Sequence, residues 1–188
     1  MLSRRRALSP AERDAKSLLL ARHFLGSSLY GQLSQRRKAL MGYLALGDEA
    51  DVGPILARAA ADGLKVAVPR IDGGPGKMVA RELWPGPTGW LVEKGPFGVL
   101  QPPLEAPEVP LGEIGLILVP AVAVDEGGYR LGYGKGYYDR FLSREGRPFS
   151  LAVAFRLQVL PSLPRAPWDI PCHGILTEEG LRILPIPG

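Results

Sequence analysis

The sequence predicts an α/β fold: a single domain over residues 1–188, with a mostly parallel central sheet flanked by helices in a Rossmann-like three-layer arrangement. Three observations carry the prediction. Apolar runs of strand length alternate with stretches of helical spacing in the order β-α-β, then β-loop-α-β. The run over 114–124 is apolar almost throughout and reads as a buried central strand. A glycine-rich segment then leads into another helical stretch, and sheets of this kind bind ligands at the carboxyl ends of their strands.

Taken in order, Ser9-Pro10-Ala11-Glu12 is a capping box with proline at the first helical position. It predicts a helix from there to about Leu29, with Ala15, Leu18, Leu19, the stem of Arg22 and Leu25 at helical spacing. Residues 39–46 read as a buried strand. Asp48, Glu49 and Asp51 open a second helix over 52–61, which Gly63 stops. Acidic residues in a first turn suit the helix dipole and need no ligand to explain them. Short strands are expected at 65–69 and 77–83. Residues 84–113 are rich in Pro and Gly and read as an extended loop with short strand pieces. After the central strand come a helix over 137–143, a strand over 149–155, and closing strands at 175–178 and 181–186.

Composition narrows the class. A chain of 188 residues, 46% hydrophobic and 22% charged, is an ordinary soluble globular domain with room for a sizeable core. No apolar run is long enough to cross a bilayer, and no apolar stretch follows the N-terminal arginines as in a secretory signal, so the cytoplasm is expected. The lone Cys172 excludes an internal disulfide and suits a reducing compartment. The net charge of +4 suits small polyanions and would also suit nucleic acid. The basic clusters Arg4-Arg5-Arg6 and Arg36-Arg37-Lys38 are short and lack interleaved aromatics, so they read as solvated faces. No nucleic-acid or membrane partner is expected. A monomer is expected, because no long exposed apolar stripe is evident.

The chemistry concentrates in Arg130-Leu131-Gly132-Tyr133-Gly134-Lys135-Gly136-Tyr137-Tyr138-Asp139-Arg140. Glycines allow positive φ and can turn several backbone N–H groups toward one point. The helix start beyond them adds partial positive charge, and Lys135 and Arg130 add full charges. The sum is an anion cradle suited to phosphates. It is not a Walker loop, since Lys135 is followed by Gly136, nor the dinucleotide fingerprint, since the glycines run G-x-G-x-G. A plainer reading stays open: a tight strand-to-helix turn with Lys135 and Asp139 as an exposed i,i+4 pair. Asp169, Cys172 and His173 do not have zinc-site spacing, and structural roles are expected for Cys172 and His173. His23 reads as a surface or boundary residue.

With these residues in view, the chain resembles the 5-formyltetrahydrofolate cyclo-ligase family, also called methenyltetrahydrofolate synthetases. The resemblance rests on Val119-Pro120-Ala121-Val122-Ala123-Val124-Asp125 and the block from Arg130 to Arg140. Weaker support comes from Gly47-Asp48-Glu49-Ala50-Asp51, Val66-Ala67-Val68-Pro69, Phe155-x-x-Gln158 and Asp169, so that 8–184 is covered. The resemblance implies Mg-ATP-dependent conversion of 5-formyltetrahydrofolate into 5,10-methenyltetrahydrofolate, with release of ADP and phosphate. It further implies ATP binding by Arg130, Leu131, Gly132, Tyr133, Gly134, Lys135, Gly136, Tyr137 and Tyr138, with Lys135 and Arg130 catalytic. Asp139 and Asp169 are the implied Mg²⁺ ligands. Leu46, Glu49, Asp51, Tyr133 and Tyr137 are the implied folate contacts. On local grounds Asp169 reads equally as a cap or turn residue before Ile170-Pro171.

The pattern departs in three places. Family members usually carry a basic segment ahead of the first helix, with a lysine and an arginine that reach ATP. Alignment on Ala7-Leu8-Ser9 leaves almost nothing ahead of Met1 for it, so Arg4, Arg5 or Arg6 is expected to substitute. Tyr133 stands where some relatives have arginine, and His173 where relatives often have an acidic residue. The alternatives are a relative that binds nucleotide or folate without turnover and, ranked below it, a nucleic-acid-binding protein.

Overall fold

The structure, a computed structural model, describes residues 1–71 and 77–185. The chain opens with α1 (Leu2–Arg6), α2 (Pro10–Leu25) and α3 (Ser28–Arg36), followed by β1 (Ala39–Met41), α4 (Gly53–Ala61), β2 (Val66–Ile71) and β3 (Met78–Glu82). Two hairpins follow: β4 (Pro85–Gly86) with β5 (Gly89–Trp90), and β6 (Glu93–Lys94) with β7 (Leu100–Gln101). Then come β8 (Ile114–Pro120), β9 (Ala123–Asp125), β10 (Arg130–Leu131), α5 (Tyr137–Leu142), β11 (Phe149–Val153), β12 (Val159–Leu160), β13 (Gly174–Thr177) and β14 (Gly180–Ile183).

The main sheet runs β14-β13-β11-β8-β1-β2-β3. Its inner pairs are parallel, while β3 and β14 close the edges as antiparallel strands. The expected three layers follow from the pleat. Leu40, Val66, Val68, Leu116, Leu118, Leu151 and Val153 point into one core with Leu20, Phe24, Leu33, Ile55 and Leu56 of the N-terminal helices. Met41, Ala67, Ile117, Val119 and Ala152 point into the other, under Phe141 and Leu142 of α5. The chain leaves β1 toward β2 on one side and leaves β8 toward β11 on the other. The β1–β8 pair is therefore the switch point, where a crevice forms at the carboxyl ends.

Several expectations are corrected. The first helix ends at Leu25 rather than about Leu29. Ser27 caps α3 instead, its side chain accepting the Tyr30 N–H at 3.3 Å. The buried stripe of α2 is Ser17, Leu20, Ala21 and Phe24, whereas Leu18 is 60% and Leu19 45% exposed. In a run of three leucines the sequence alone does not fix which one faces inward. The strand expected over 39–46 keeps only three residues, and its remainder turns into the crevice. Helix α4 begins at Gly53, so Asp48 and Glu49 lie in the preceding turn rather than opening the helix.

The apolar run 114–124 is two strands in two sheets. Between them the buried Gln158 donates to the Ala121 and Val122 carbonyls at 2.8 and 3.0 Å, taking acceptors that a continuous ladder would use. Strand β9 then joins β10 and β12 in a small second sheet. The strand expected at 181–186 runs from Gly180 to Ile183, and Ile186 lies outside the described residues. His23 is exposed on α2, as expected, with its Nε2 3.1 Å from the Glu178 carbonyl.

Candidate functional site

The crevice at the switch point is a cavity of about 1280 Å³. That exceeds the roughly 300–1,000 Å³ usual for a site holding one small molecule. Its floor comes from the ends of β1, β2 and β8 at Tyr43, Leu44, Pro69, Pro120 and Ala121, and one long wall is the whole segment 129–140.

That wall is organised from beneath by Asp125. Its carboxylate is fully buried and accepts the N–H groups of Gly127 (2.9 Å), Tyr129 (3.0 Å) and Leu163 (3.2 Å), and Nη2 of Arg165 (3.0 Å). The β9–β10 turn is thereby fixed. Gly128 is required within it: φ is +84°, and a Cβ there would stand 2.5 Å from the Cys172 carbonyl oxygen. The strand that leaves this turn carries Arg130. Its side chain is only 4% exposed, donating from Nη1 to the Ile170 carbonyl at 2.7 Å and from Nη2 to Asp139 Oδ1 at 3.0 Å.

Asp139 therefore pairs with Arg130, not with Lys135 in the plainer i,i+4 reading. Lys135 precedes α5 and is exposed, with Nζ 5.2 Å above the Phe97 ring. The loop has the backbone form the glycines suggested. Gly134 and Gly136 take φ of +78° and +63°. Among the described residues, none of Gly132, Gly134 and Gly136 gives its N–H to a protein acceptor. Three amide donors, a lysine and the start of α5 meet at one rim of the cavity, an arrangement suited to phosphate oxygens.

The opposite rim is the turn after β1. Leu46 and Glu49 line the cavity, as does Asp48. Glu49 Oε2 accepts the Leu46 N–H at 2.9 Å, and burial pushes its carboxyl above the usual carboxylate range. Asp48 is held below its usual range by hydrogen bonds from Arg5. Asp51, expected as a substrate contact, is exposed and outside the lining. Its Oδ1 accepts the Gly53 N–H at 2.8 Å at the start of α4.

The carboxylates expected to hold a metal, Asp139 and Asp169, both line the cavity. Asp139 Oδ1 accepts from Arg130 and, at 3.4 Å, from the Ile170 N–H. Asp169 Oδ2 accepts the Ala166 N–H at 2.7 Å, the local turn contact its sequence position also suggested. In each, the second oxygen has no protein donor among the described residues. Among those residues no three His, Cys, Asp or Glu cluster as a self-sufficient metal site. Mg²⁺ uses one or two carboxylates and leaves the remaining positions to phosphate and water, so this donor set fits it as a companion of a bound nucleotide.

Tyr138 Oη is buried in the cavity wall without a partner among the described residues, and burial raises its phenol well above 10, which keeps it a hydrogen-bond donor. Tyr133 and Tyr137 also line the cavity.

The sequence left Phe97 unread, and it offered Arg4, Arg5 and Arg6 as candidates for the basic group near the nucleotide. Phe97 sits at the mouth, 63% exposed, in a left-handed conformation with φ +62°. Arg6 lines the cavity from α1. Arg5, adjacent in sequence, is buried beneath the rim. A Pro-Phe-Gly turn is the one local signal that marked Phe97. Cys172 and His173 have structural surroundings, as expected: Cys172 is buried, and His173 Nδ1 accepts the Ser150 N–H at 3.0 Å while its ring stacks on Phe149.

The model of the 5-formyltetrahydrofolate cyclo-ligase family matches residues 1–178. The chain is 30% identical over 184 residues to the 5-formyltetrahydrofolate cyclo-ligase of Mus musculus, spanning 94% of this chain and 89% of that one. A Mycolicibacterium smegmatis protein of the same name is 27% identical over 181 residues, spanning 95% and 90%. Among solved structures, the 5,10-methenyltetrahydrofolate synthetase of Aquifex aeolicus superposes with a TM-score of 0.81 at 29% identity, covering 100% of this chain and 90% of that one. A Mycoplasma pneumoniae structure shares the fold, with a TM-score of 0.71 at 19% identity, covering 94% of this chain and 93% of that one.

Proposed function

We propose that this chain, which belongs to the 5-formyltetrahydrofolate cyclo-ligase family, closes 5-formyltetrahydrofolate to 5,10-methenyltetrahydrofolate at the expense of ATP, with Mg²⁺. The observation that carries the reading is one cavity with two unlike rims. One offers amide donors and Lys135 to phosphates, the other Leu46 and the half-buried Glu49 to a flat heterocycle, and the volume admits two ligands side by side.

The chemistry follows in two steps. The formyl oxygen attacks the γ-phosphorus as the bond to ADP breaks, and the N5 lone pair moves toward carbon to give an iminium phosphate. N10 then attacks that carbon, loses its proton, and the C–O bond breaks to release phosphate. Phosphoryl transfer needs positioning and charge neutralisation more than covalent help. In this reading the N–H groups of Gly132, Gly134 and Gly136 and the Lys135 ammonium hold the transferring oxygens. Arg130 keeps Asp139 oriented and adds positive potential from within the wall. Tyr138 supplies a donor to a polar ligand atom. Asp139 and Asp169 would hold Mg²⁺, whose contribution is to neutralise phosphate charge.

In this reading the protein acts as a single-domain monomer on small molecules in the cytoplasm. Among the described residues no helix is long and apolar enough to cross a membrane.

The test is the appearance of 5,10-methenyltetrahydrofolate, followed by its absorbance, from 5-formyltetrahydrofolate and ATP with and without Mg²⁺. Metal-dependent product with stoichiometric ADP is expected. Saturable folate binding without ADP release would replace the reading with that of a non-catalytic relative.

A further inference from the structure

Of the three consecutive arginines in α1, Arg4 and Arg6 are exposed and Arg5 is 1% exposed. Burying a guanidinium is costly unless its donors are matched. Here they are matched across two separate elements. Nε donates to Asp48 Oδ2 at 3.0 Å and Nη2 to Asp48 Oδ1 at 2.9 Å, a two-pronged pair that fixes the plane of the group. The same Nη2 donates to Tyr133 Oη at 2.8 Å. Asp48 belongs to the rim that follows β1, Tyr133 to the glycine loop. One side chain thus brackets both rims of the cavity.

The loop needs such a bracket. Tyr133 lies between Gly132 and Gly134, and its ring is otherwise exposed, with the residue at 57%. Glycines leave the backbone many conformations, and a ligand that must select one of them loses affinity to the ordering. Elsewhere in 132–136, contacts to other described residues include Arg140 on the Lys135 and Gly136 carbonyls and Lys135 over the Phe97 ring.

We propose that Arg5 is a positioning residue for the glycine loop: anchored on Asp48, it holds Tyr133 and so preorganises the backbone that receives phosphate. The proposal rests on the reading of that loop as a phosphate cradle. It also assigns the buried arginine a different task from Arg6, which faces the cavity. Lysine at position 5 keeps the charge but cannot span both partners with a fixed fork.

The test uses the full chain with Arg5→Lys, Tyr133→Phe and the double variant. Tyr133→Phe removes only the Oη contact and guards against an Arg5 variant that fails to fold. Hydrogen exchange of the amides in 132–136 is measured first, then binding of a non-hydrolysable ATP analogue with Mg²⁺, then KM for ATP and kcat. Tyr133→Phe is expected to exchange faster in 132–136 alone and Arg5→Lys there and around Asp48, and each to weaken analogue binding and raise KM for ATP by roughly fivefold or more, the share of one net hydrogen bond. The double variant should be no worse than Arg5→Lys alone, because the Arg5–Tyr133 contact is already lost there. Unchanged loop exchange in Tyr133→Phe, or effects that multiply in the double variant, would overturn the proposal. If the wild-type protein neither binds the analogue nor forms product, the proposed function fails, while loop exchange still decides whether Arg5 holds the loop.

Discussion

Replacing Asp125 by asparagine tests the link between the buried turn and the site. The carboxylate has four donors around it, two per oxygen: Gly127 and Tyr129 N–H on Oδ1, Leu163 N–H and Arg165 on Oδ2. Whichever way the amide turns, its NH₂ faces two donors. If it faces Leu163 and Arg165, the Arg165 contact is worth little, because that side chain is 47% exposed and water can replace Asp125. The Leu163 N–H then loses its acceptor, at about 1–3 kcal/mol, and the donor-to-donor contact adds to this. A total of about 2–4 kcal/mol follows, and at about 2–4 °C per kcal/mol for a chain of this size Tm should fall by roughly 4–16 °C. Arg165→Ala leaves all three backbone donors on the carboxylate and should move Tm by no more than about 2 °C. Thermal unfolding and urea titration of the two variants check this. An Asp125→Asn midpoint within 2 °C or so of wild type, or an Arg165→Ala loss of equal size, would refute the view that this carboxylate organises the turn.

Lys135→Ala should lower kcat/KM for ATP by about 10²–10³-fold and leave the unfolding midpoint nearly unchanged, since the exposed Lys135 has only a ring contact with Phe97 to lose; steady-state kinetics beside a melt will show it. Glu49 and its neighbour Asp48 should give stability opposite pH dependences. Burial raises Glu49 above its ordinary 4.5, so its contribution is fully present below that value and is lost as pH rises through the higher folded value. Glu49→Gln should therefore gain on wild type as pH climbs from 4.5 toward neutrality. Arg5 lowers Asp48 below its ordinary 3.8, so that contribution is present above 3.8 and is lost as pH falls through the lower folded value. Asp48→Asn should cost most at neutral pH and nothing in strong acid, as urea midpoints across pH will reveal. Tyr138→Phe removes a buried hydroxyl that has no partner among the described residues. It should hold or raise the stability of the ligand-free protein by up to about 1 kcal/mol while weakening substrate binding, which a melt paired with KM measurements will separate.

The readings that succeeded in the sequence rest on local causes. The Ser9 capping box forms because Ser9 and Glu12 satisfy each other three residues apart, with Glu12 Oε2 2.8 Å from the Ser9 N. Gly134 and Gly136 take positive φ, which costs little where no Cβ is present. Parallel β-α-β order brought the glycine loop to the carboxyl end of the sheet. The central strand was misread where a distant group competes for the same backbone: Gln158 breaks the apolar run.

The sequence by itself determined the alternation of strands and helices, the glycine loop and the two classes of chemistry flanking it, because capping, periodicity and positive φ are properties of neighbouring residues. Only the tertiary structure decided the partners of the charges. Arg130 closes on Asp139, Lys135 lies over Phe97, and of three adjacent arginines Arg5 alone is buried, against Asp48 and Tyr133. Charge pairing depends on distance through space and on desolvation. Residues 5, 48 and 133 become neighbours only once the sheet has brought three distant segments to one rim.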